Sequence, residues 1–188
     1  MTTSPAHIGF PNGNDRLNMT IEEDTPTLYD LLADALVAIL RRELDLSFEE
    51  VVRMYREVEA DFVARVPNDE EFVLETHRRV AENILSAAYT HDEPFDVCNN
   101  AWNELLRLGF TNLFIKDIMT RHYAKCCLFT EHPEEGIAVL EPLIVELEER
   151  IAKGNAESAA YHGEDLERTR KLLTELITQR DAPDAPAP

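Results

Sequence analysis

Six histidines are the residues of this sequence best suited to metal binding or proton transfer. They are His7, His77, His91, His122, His132 and His162. A di-iron helical bundle needs the pattern Glu-x-x-His, which places a carboxylate and an imidazole one turn apart on the same helix face. The residues three places before these histidines are Ser, Leu, Ala, Met, Phe and Ala, and the zinc-protease pattern His-Glu-x-x-His is also absent. Neither kind of metal centre is predicted.

The adjacent pair His91-Asp92 is the one histidine motif that suggests a hydrolase. Helical metal-dependent phosphohydrolases hold a metal with such a pair and further His and Asp ligands, and His77 could supply one of them. Glu93-Pro94 follows at once, however, which places the pair at a helix boundary. There Asp92 is expected to cap the next helix. A metal-dependent hydrolase using His77, His91 and Asp92 is kept as an alternative, and we expect no metal and no cofactor.

The three cysteines, Cys98, Cys126 and Cys127, could act as nucleophiles or metal ligands. Adjacent residues on a helix point about 100° apart, so Cys126 and Cys127 are poorly placed to share one metal. His122 and Cys126 share a helix face, but no third group completes a nucleophilic triad. These thiols are therefore expected to pack in the core. Three free cysteines are typical of a reducing compartment.

The charge balance excludes several classes of partner. Asp and Glu number 37 against 18 Lys and Arg, a formal net charge of -19. This charge repels nucleic-acid phosphates and anionic lipids, so we expect no nucleic acid and no membrane among the partners. No apolar run approaches the roughly 20 residues that a membrane span needs. The first residues lack a basic start followed by an apolar stretch, and a cytoplasmic protein is expected.

Apolar residues recur three and four positions apart in seven segments, which is the pattern of amphipathic helices. Capping residues and prolines predict where these helices start: Thr25 before Pro26, Ser47 with Glu50, Asn68 with Glu71, Asp92, Thr111, His132 before Pro133, and Ser158. Gly109 and Gly154 are predicted to end the fourth and sixth helices. In the first helix, Leu31, Leu36 and Leu40 belong to one broad face that is expected to be buried.

The predicted fold class is all-α. No segment shows sustained alternation of apolar and polar residues, and short linkers between the helices force neighbours to lie antiparallel. We expect about seven antiparallel helices in a bundle or a short helical-repeat solenoid. Residues 1–24 are expected to form a flexible arm, residues 25–180 a single helical domain, and residues 181–188 a disordered tail of Ala and Pro.

The segment 118–151 resembles the tetratricopeptide repeat, a pair of antiparallel helices that pack through small residues. Ala124 and Gly136 stand twelve positions apart, as the small residues of that family do, and Leu140 within EEGIAVLEPL matches the second helix. The family's tryptophan, inter-helix glycine and closing proline are replaced here by Thr120, Glu131 and Glu148. The resemblance implies a short right-handed solenoid with a protein-binding groove on the concave side of stacked helix pairs.

These observations favour a non-enzymatic module that binds a peptide or helix of another protein in an inter-helix groove, as an adaptor, a scaffold or a regulatory protein. The candidate partner-binding residues are Asn99, Trp102, Asn103, His122 and Tyr123. Aromatic anchors dominate interface energies, although Trp102 and Tyr123 could equally belong to the core. The acidity suggests a basic partner. An acidic inhibitor of the immunity-protein type is the main alternative, and a homodimer also remains open.

Overall fold

The computed structural model describes residues 26–182, apart from the side chains of residues 156–158. This part of the chain contains seven α-helices, one 3-10 turn at Glu43–Asp45 and no strand. The helices are α1 (Leu28–Leu40), α2 (Phe48–Arg65), α3 (Glu70–Thr90), α4 (Phe95–Leu108), α5 (Leu113–Phe129), α6 (Pro133–Lys153) and α7 (Ala156–Asp181). The all-α prediction is confirmed. The predicted arm 1–24 and the tail beyond Ala182 lie outside the described residues.

The helices are stacked so that the odd-numbered ones touch each other. Every helix packs against its neighbour in sequence, and in addition α1 contacts α3, α3 contacts α5, and α5 contacts α7. A continuous core of buried apolar side chains runs through all seven helices, from Leu32 in α1 to Leu176 in α7. The result is an arrangement consistent with a bundle or a helical solenoid, in which α1, α3, α5 and α7 lie side by side.

Several predicted helix ends are confirmed and others are displaced. Ser47 and Glu50 form the predicted capping box, and Gly109 ends α4 with φ of 78°. Four predicted starts are wrong by one or two residues: Thr27, Asp69 and Asn112 are the N-caps of α1, α3 and α5, and α7 begins at Ala156 rather than at Ser158. Polar residues are adjacent at these starts, and each of them could cap by type alone.

The turn after α3 differs from the prediction in the role of Asp92. Asp92 does not cap α4; it takes a left-handed backbone with φ of 52°, and Pro94 stands at the N-cap without a side-chain bond. The amide of Glu93 donates to the carbonyl of Ala88, and the amide of Asp92 donates to that of Tyr89. These are the two hydrogen bonds of a Schellman motif, so Asp92 terminates α3 instead of starting α4.

A network of charged side chains around the buried Asp117 joins α5 to α6. Asp117 is only 2% exposed and accepts a hydrogen bond from Arg150, whose guanidinium also reaches Glu146 at 3.2 Å. Lys116 donates to the same Glu146 at 2.7 Å. A carboxylate that is removed from water needs such compensation to remain charged, so this network fixes the pairing of the two helices.

Gly136 allows the close approach of α7 and α5 to α6. A Cβ at this position would lie 2.9 Å from Leu176 Cδ1 and 3.1 Å from Cys127 Cβ. Gly136→Ala is therefore expected to lower the free energy of unfolding by about 1–3 kcal/mol through overpacking. Gly163→Ala is the matched control, because a Cβ there meets nothing within 4 Å and should add up to about 1 kcal/mol of helix propensity. Urea denaturation of both variants measures the difference, and stabilisation by both substitutions would contradict the close packing.

No helix of residues 26–182 combines the length and the apolar character that crossing a bilayer requires.

Candidate functional site

Three of the five predicted binding residues lie in the seam between α4 and α5. The rings of Trp102 and Tyr123 stack with centroids 4.9 Å apart, and their side chains are 7% and 3% exposed. The Tyr123 hydroxyl donates to Asn99 Oδ1 at 2.9 Å, and burial raises the pKa of this phenol. The geometry holds α4 against α5, with the two rings buried and Asn99 half-buried, so neither ring is presented to a partner.

Of the other two predicted residues, one is exposed and one is half-buried. Asn103 is exposed on α4. His122 projects from α5 toward α3 and stacks on Tyr89, with ring centroids 4.7 Å apart. Burial lowers the pKa of His122 to about 4, and the charges of Lys125 and Arg121 act in the same direction. The imidazole is therefore neutral at physiological pH.

The alternative metal ligands do not come together. His77 Nδ1 lies 2.7 Å from Glu59 Oε1 on α2, where Arg56 also binds that carboxylate. His91 follows fourteen residues later at the end of α3, which corresponds to about 21 Å along a helix. Among residues 26–182, no three or more His, Cys, Asp or Glu side chains are grouped so that they could hold a metal ion. The described residues give the hydrolase alternative no ligand cluster.

The cysteines are buried thiols. Burial raises the pKa of Cys127 to about 12, and a hydrogen bond between Cys126 and Cys98, together with burial, raises that of Cys126. A nucleophilic cysteine needs the opposite shift, toward the thiolate. The face shared by His122 and Cys126 therefore carries a protonated thiol beside a neutral imidazole. These thiols pack in the core, as the sequence predicted.

Accessible apolar side chains concentrate on the surface formed by α1, α3, α5 and α7, which we call the odd-helix face. Val37 and Leu40 on α1 are 41% and 50% exposed, and Leu40 was expected to be buried. Phe114 on α5 and Tyr161 on α7 are about half exposed, with ring centroids 6.2 Å apart. Phe129, at the other end of α5, lies against Tyr89. Large apolar side chains left open on adjoining helices are typical of an interaction surface.

A pocket of about 280 Å³ opens on this face between α1, α3 and the start of α5. Its walls are apolar on α1 and at Ile115 of α5, and polar on α3 and in the turn before α5; they include Ala33, Leu36, Val37, Leu40, Arg79, Glu82, Asn83, Thr111, Asn112 and Ile115. Glu82 accepts hydrogen bonds from both the amide and the hydroxyl of Thr111 at 2.8 Å. Burial raises the pKa of Glu82. This contact explains why Thr111 does not cap α5, since its side chain is already committed to α3.

No family model, curated protein or solved structure matches this chain. The candidate site is therefore defined by geometry, and its best-defined part is the odd-helix face.

A single stripe along α5 joins the two ends of this face. Ile115, Ile118, His122, Lys125 and Phe129 follow one another at intervals of three or four residues, so they share one side of the helix. Ile115 lines the pocket beside α1, whereas Lys125 lines a second groove, between α5 and α7. The face is thus apolar toward α1 and cationic toward α7. Of the five residues predicted from sequence, only His122 belongs to the stripe.

Sequence reasoning missed the exposed members of this face because it assigned Leu40 to the buried face of α1 and did not consider Val37. One signal was available. The apolar residues of α1 cover more than one side of the helix, since Ala33, Val37 and Leu40 form a second row beside the buried Leu32, Leu36 and Ile39. When the apolar surface of a helix is wider than one neighbouring helix can bury, it indicates either a second neighbouring helix or an interaction surface.

Proposed function

We propose that the chain is a non-enzymatic protein-interaction module, an adaptor or regulatory protein, that binds one amphipathic helix of a partner protein on its odd-helix face. The observation that carries the proposal is the pocket between α1, α3 and α5, with Val37 and Leu40 half exposed at its edge. Burying these two side chains against a partner would remove apolar surface from water, and a Val or Leu side chain contributes about 1.5–3 kcal/mol when fully buried.

The shape of the apolar surface favours a helix as the ligand. Tyr29, Ala33, Val37 and Leu40 follow one another at intervals of four, four and three residues along α1. A straight row of this kind is matched by a partner helix whose apolar anchors recur at i, i+3, i+4 and i+7. Asn112 lines the pocket and uses its Oδ1 to accept from the Ile115 amide, so its Nδ2 can donate to a polar atom flanking those anchors.

The stacking of the odd-numbered helices supports the same function. Contacts that run from α1 to α3, α5 and α7 place one helix of each successive pair on a common surface. We propose that these pairs correspond to tetratricopeptide-like units, of which the segment 118–151 is the most similar. Stacked units of this kind form an extended binding surface, and each contacts mainly its neighbours.

A matched pair of surface variants tests the proposal. Replacing Val37 and Leu40 with Gln removes two apolar side chains from the odd-helix face. Replacing Leu106 and Val145 with Gln makes the same change on α4 and α6, where these residues are 55% and 54% exposed. We expect the first variant to recover at least tenfold less partner from cell extract than the wild-type protein does, because each lost anchor contributes about 1 kcal/mol or more.

The control variant should recover the partner at the wild-type level. Circular dichroism should show the same helix content and a similar melting temperature for all three proteins, because the four replaced side chains are exposed. Equal recovery by both variants would show that α1 is not the binding surface and would overturn the proposal.

A further inference from the structure

The groove between α5 and α7 is rich in basic side chains, although the chain as a whole is acidic. Its volume is about 250 Å³, and it is lined by Arg121, Lys125, Arg168, Lys171, Leu172 and Glu175. Four of these six residues are cationic, in a chain with twice as many acidic as basic residues. Such a concentration of positive charge in an inter-helix groove is suited to an anionic group.

Ion pairs already neutralise the two arginines. Arg121 Nη2 lies 3.1 Å from Asp165 Oδ1, and Asp165 is nearly buried. Arg168 reaches the same Asp165 oxygen at 3.6 Å and Glu164 at 3.4 Å. The Arg121–Asp165 pair joins α5 to α7, whereas the two pairs of Arg168 lie within α7. Their charge is balanced inside the protein, so they are not the groups that attract a ligand.

The two lysines are different, because neither has a carboxylate oxygen within 4 Å in the part of the chain that the structure describes. Of the four lysines in the sequence, Lys116 and Lys153 pair with glutamates at 2.7 and 2.8 Å. The remaining two, Lys125 and Lys171, both line the α5–α7 groove. Both lysines without a carboxylate partner therefore line this groove, on two helices that packing brings together, and Lys171 also lines a neighbouring pocket beside Glu164 and Glu167 on α7.

Lys125 is held in place by aromatic contacts. Its ammonium lies 5.1 Å from the centre of the Tyr89 ring and donates to the Tyr89 hydroxyl at 3.3 Å. His122 stacks on the ring of Tyr89 and thereby fixes Tyr89 in turn. A side chain that is already ordered loses less rotamer entropy when a ligand binds, which favours binding.

We propose that Lys125 and Lys171 form a subsite for carboxylate side chains, so that the partner segment on the odd-helix face is acidic where it crosses α5 and α7. Carboxylates are the anionic groups of protein side chains, so an Asp or Glu of the partner is the occupant that the two lysines fit. The proposal deepens the proposed function by giving the chemistry of the partner.

The net charge of -19 had suggested a basic partner. Charges separated by more than about 8 Å are largely screened at physiological ionic strength, so the nearest groups decide which side chains bind in a groove. An acidic residue over Lys125 and Lys171 experiences the two ammonium groups more strongly than the distant carboxylates. The partner can still be basic elsewhere along its length.

Titration with small anionic probes tests the subsite on the intact protein. The probes are an acetylated, amidated tetraglutamate peptide and, separately, inorganic phosphate, and backbone amide shifts in the NMR spectrum report where each binds. We expect saturable shifts by tetraglutamate in residues 121–125 and 168–172. Lys125→Gln/Lys171→Gln should raise its dissociation constant at least fivefold at constant ionic strength, because exposed ion pairs contribute up to about 1 kcal/mol each.

Lys153→Gln is the matched control, because Lys153 is an exposed lysine on α6. Its effect should stay within twofold. The absence of saturable shifts, an equal loss in the control, or tighter binding of phosphate at the same residues would each overturn the carboxylate subsite. The probe requires no partner, so the two proposals can fail separately. If the wild-type protein binds tetraglutamate but the variant with Gln at positions 37 and 40 still recovers the partner, the proposed function is refuted and the subsite stands.

Discussion

Arg150→Ala is expected to lower the free energy of unfolding by about 3–5 kcal/mol, because it leaves the Asp117 carboxylate buried without its counter-charge. Asp117 is 2% exposed, and its second oxygen, Oδ1, has no hydrogen-bond partner in the described part of the chain. Arg150 therefore supplies nearly all of the compensation for burying this charge. Urea denaturation at neutral pH measures the loss.

Two further variants separate this cause from a general loss of packing. Arg170→Ala removes an arginine that pairs with Glu148 at 2.6 Å, but both side chains are about half exposed, so the loss should stay below about 1 kcal/mol. Adding Asp117→Asn to Arg150→Ala removes the stranded charge and should recover part of the lost stability. Similar losses in Arg150→Ala and Arg170→Ala would show that the buried charge has no special role.

His122→Phe is expected to make the protein less sensitive to acid. In the folded protein, burial lowers the pKa of His122 from 6.5 to about 4, so folding favours the neutral imidazole. The stability that this provides is complete above pH 6.5 and is lost as the pH falls through the window toward 4. Between pH 7 and pH 4.5 this loss amounts to about 2–3 kcal/mol. Phenylalanine keeps a ring against Tyr89 and has no proton to bind.

Denaturation of both proteins at pH 7 and at pH 4.5 tests this expectation. Carboxylates also titrate over this range, but they are shared by the two proteins and cancel in the comparison. The wild-type protein should lose more stability on acidification than the variant does, by up to the amount given above. An identical loss in both would mean that His122 is protonated as easily in the folded chain as in the unfolded one.

Local signals in the sequence were sufficient for the helices but not for each cap. The capping box of Ser47 and Glu50 is contained in four consecutive residues, so it could be recognised directly. Thr111 shows which information the local sequence does not contain. Its side chain binds Glu82, 29 residues earlier, and leaves the capping role to Asn112. A long-range contact of that kind leaves no mark in the local pattern.

The candidate site was harder to predict because its members are brought together only by packing. Lys125 and Lys171 are 46 positions apart and line one groove because α5 lies against α7. Trp102 was chosen by residue type, since aromatic side chains are common anchors, yet it fills the seam against Tyr123. Val37 and Leu40 resemble core residues in sequence; they are open because α1 stands at the end of the stack and packs mainly against α2 and α3.

Site-specific photo-crosslinking in cells tests the binding face most directly. A photoreactive phenylalanine analogue is placed at Leu40 or Phe114 on the odd-helix face, and at Leu106 or Val145 on α4 and α6 as controls. All four positions are about half exposed. If the odd-helix face binds a partner helix, the adducts from positions 40 and 114 will map to one segment of one protein, and the control positions will give none. Equal adducts from all four positions, or none from positions 40 and 114, would contradict a partner-binding role for this face.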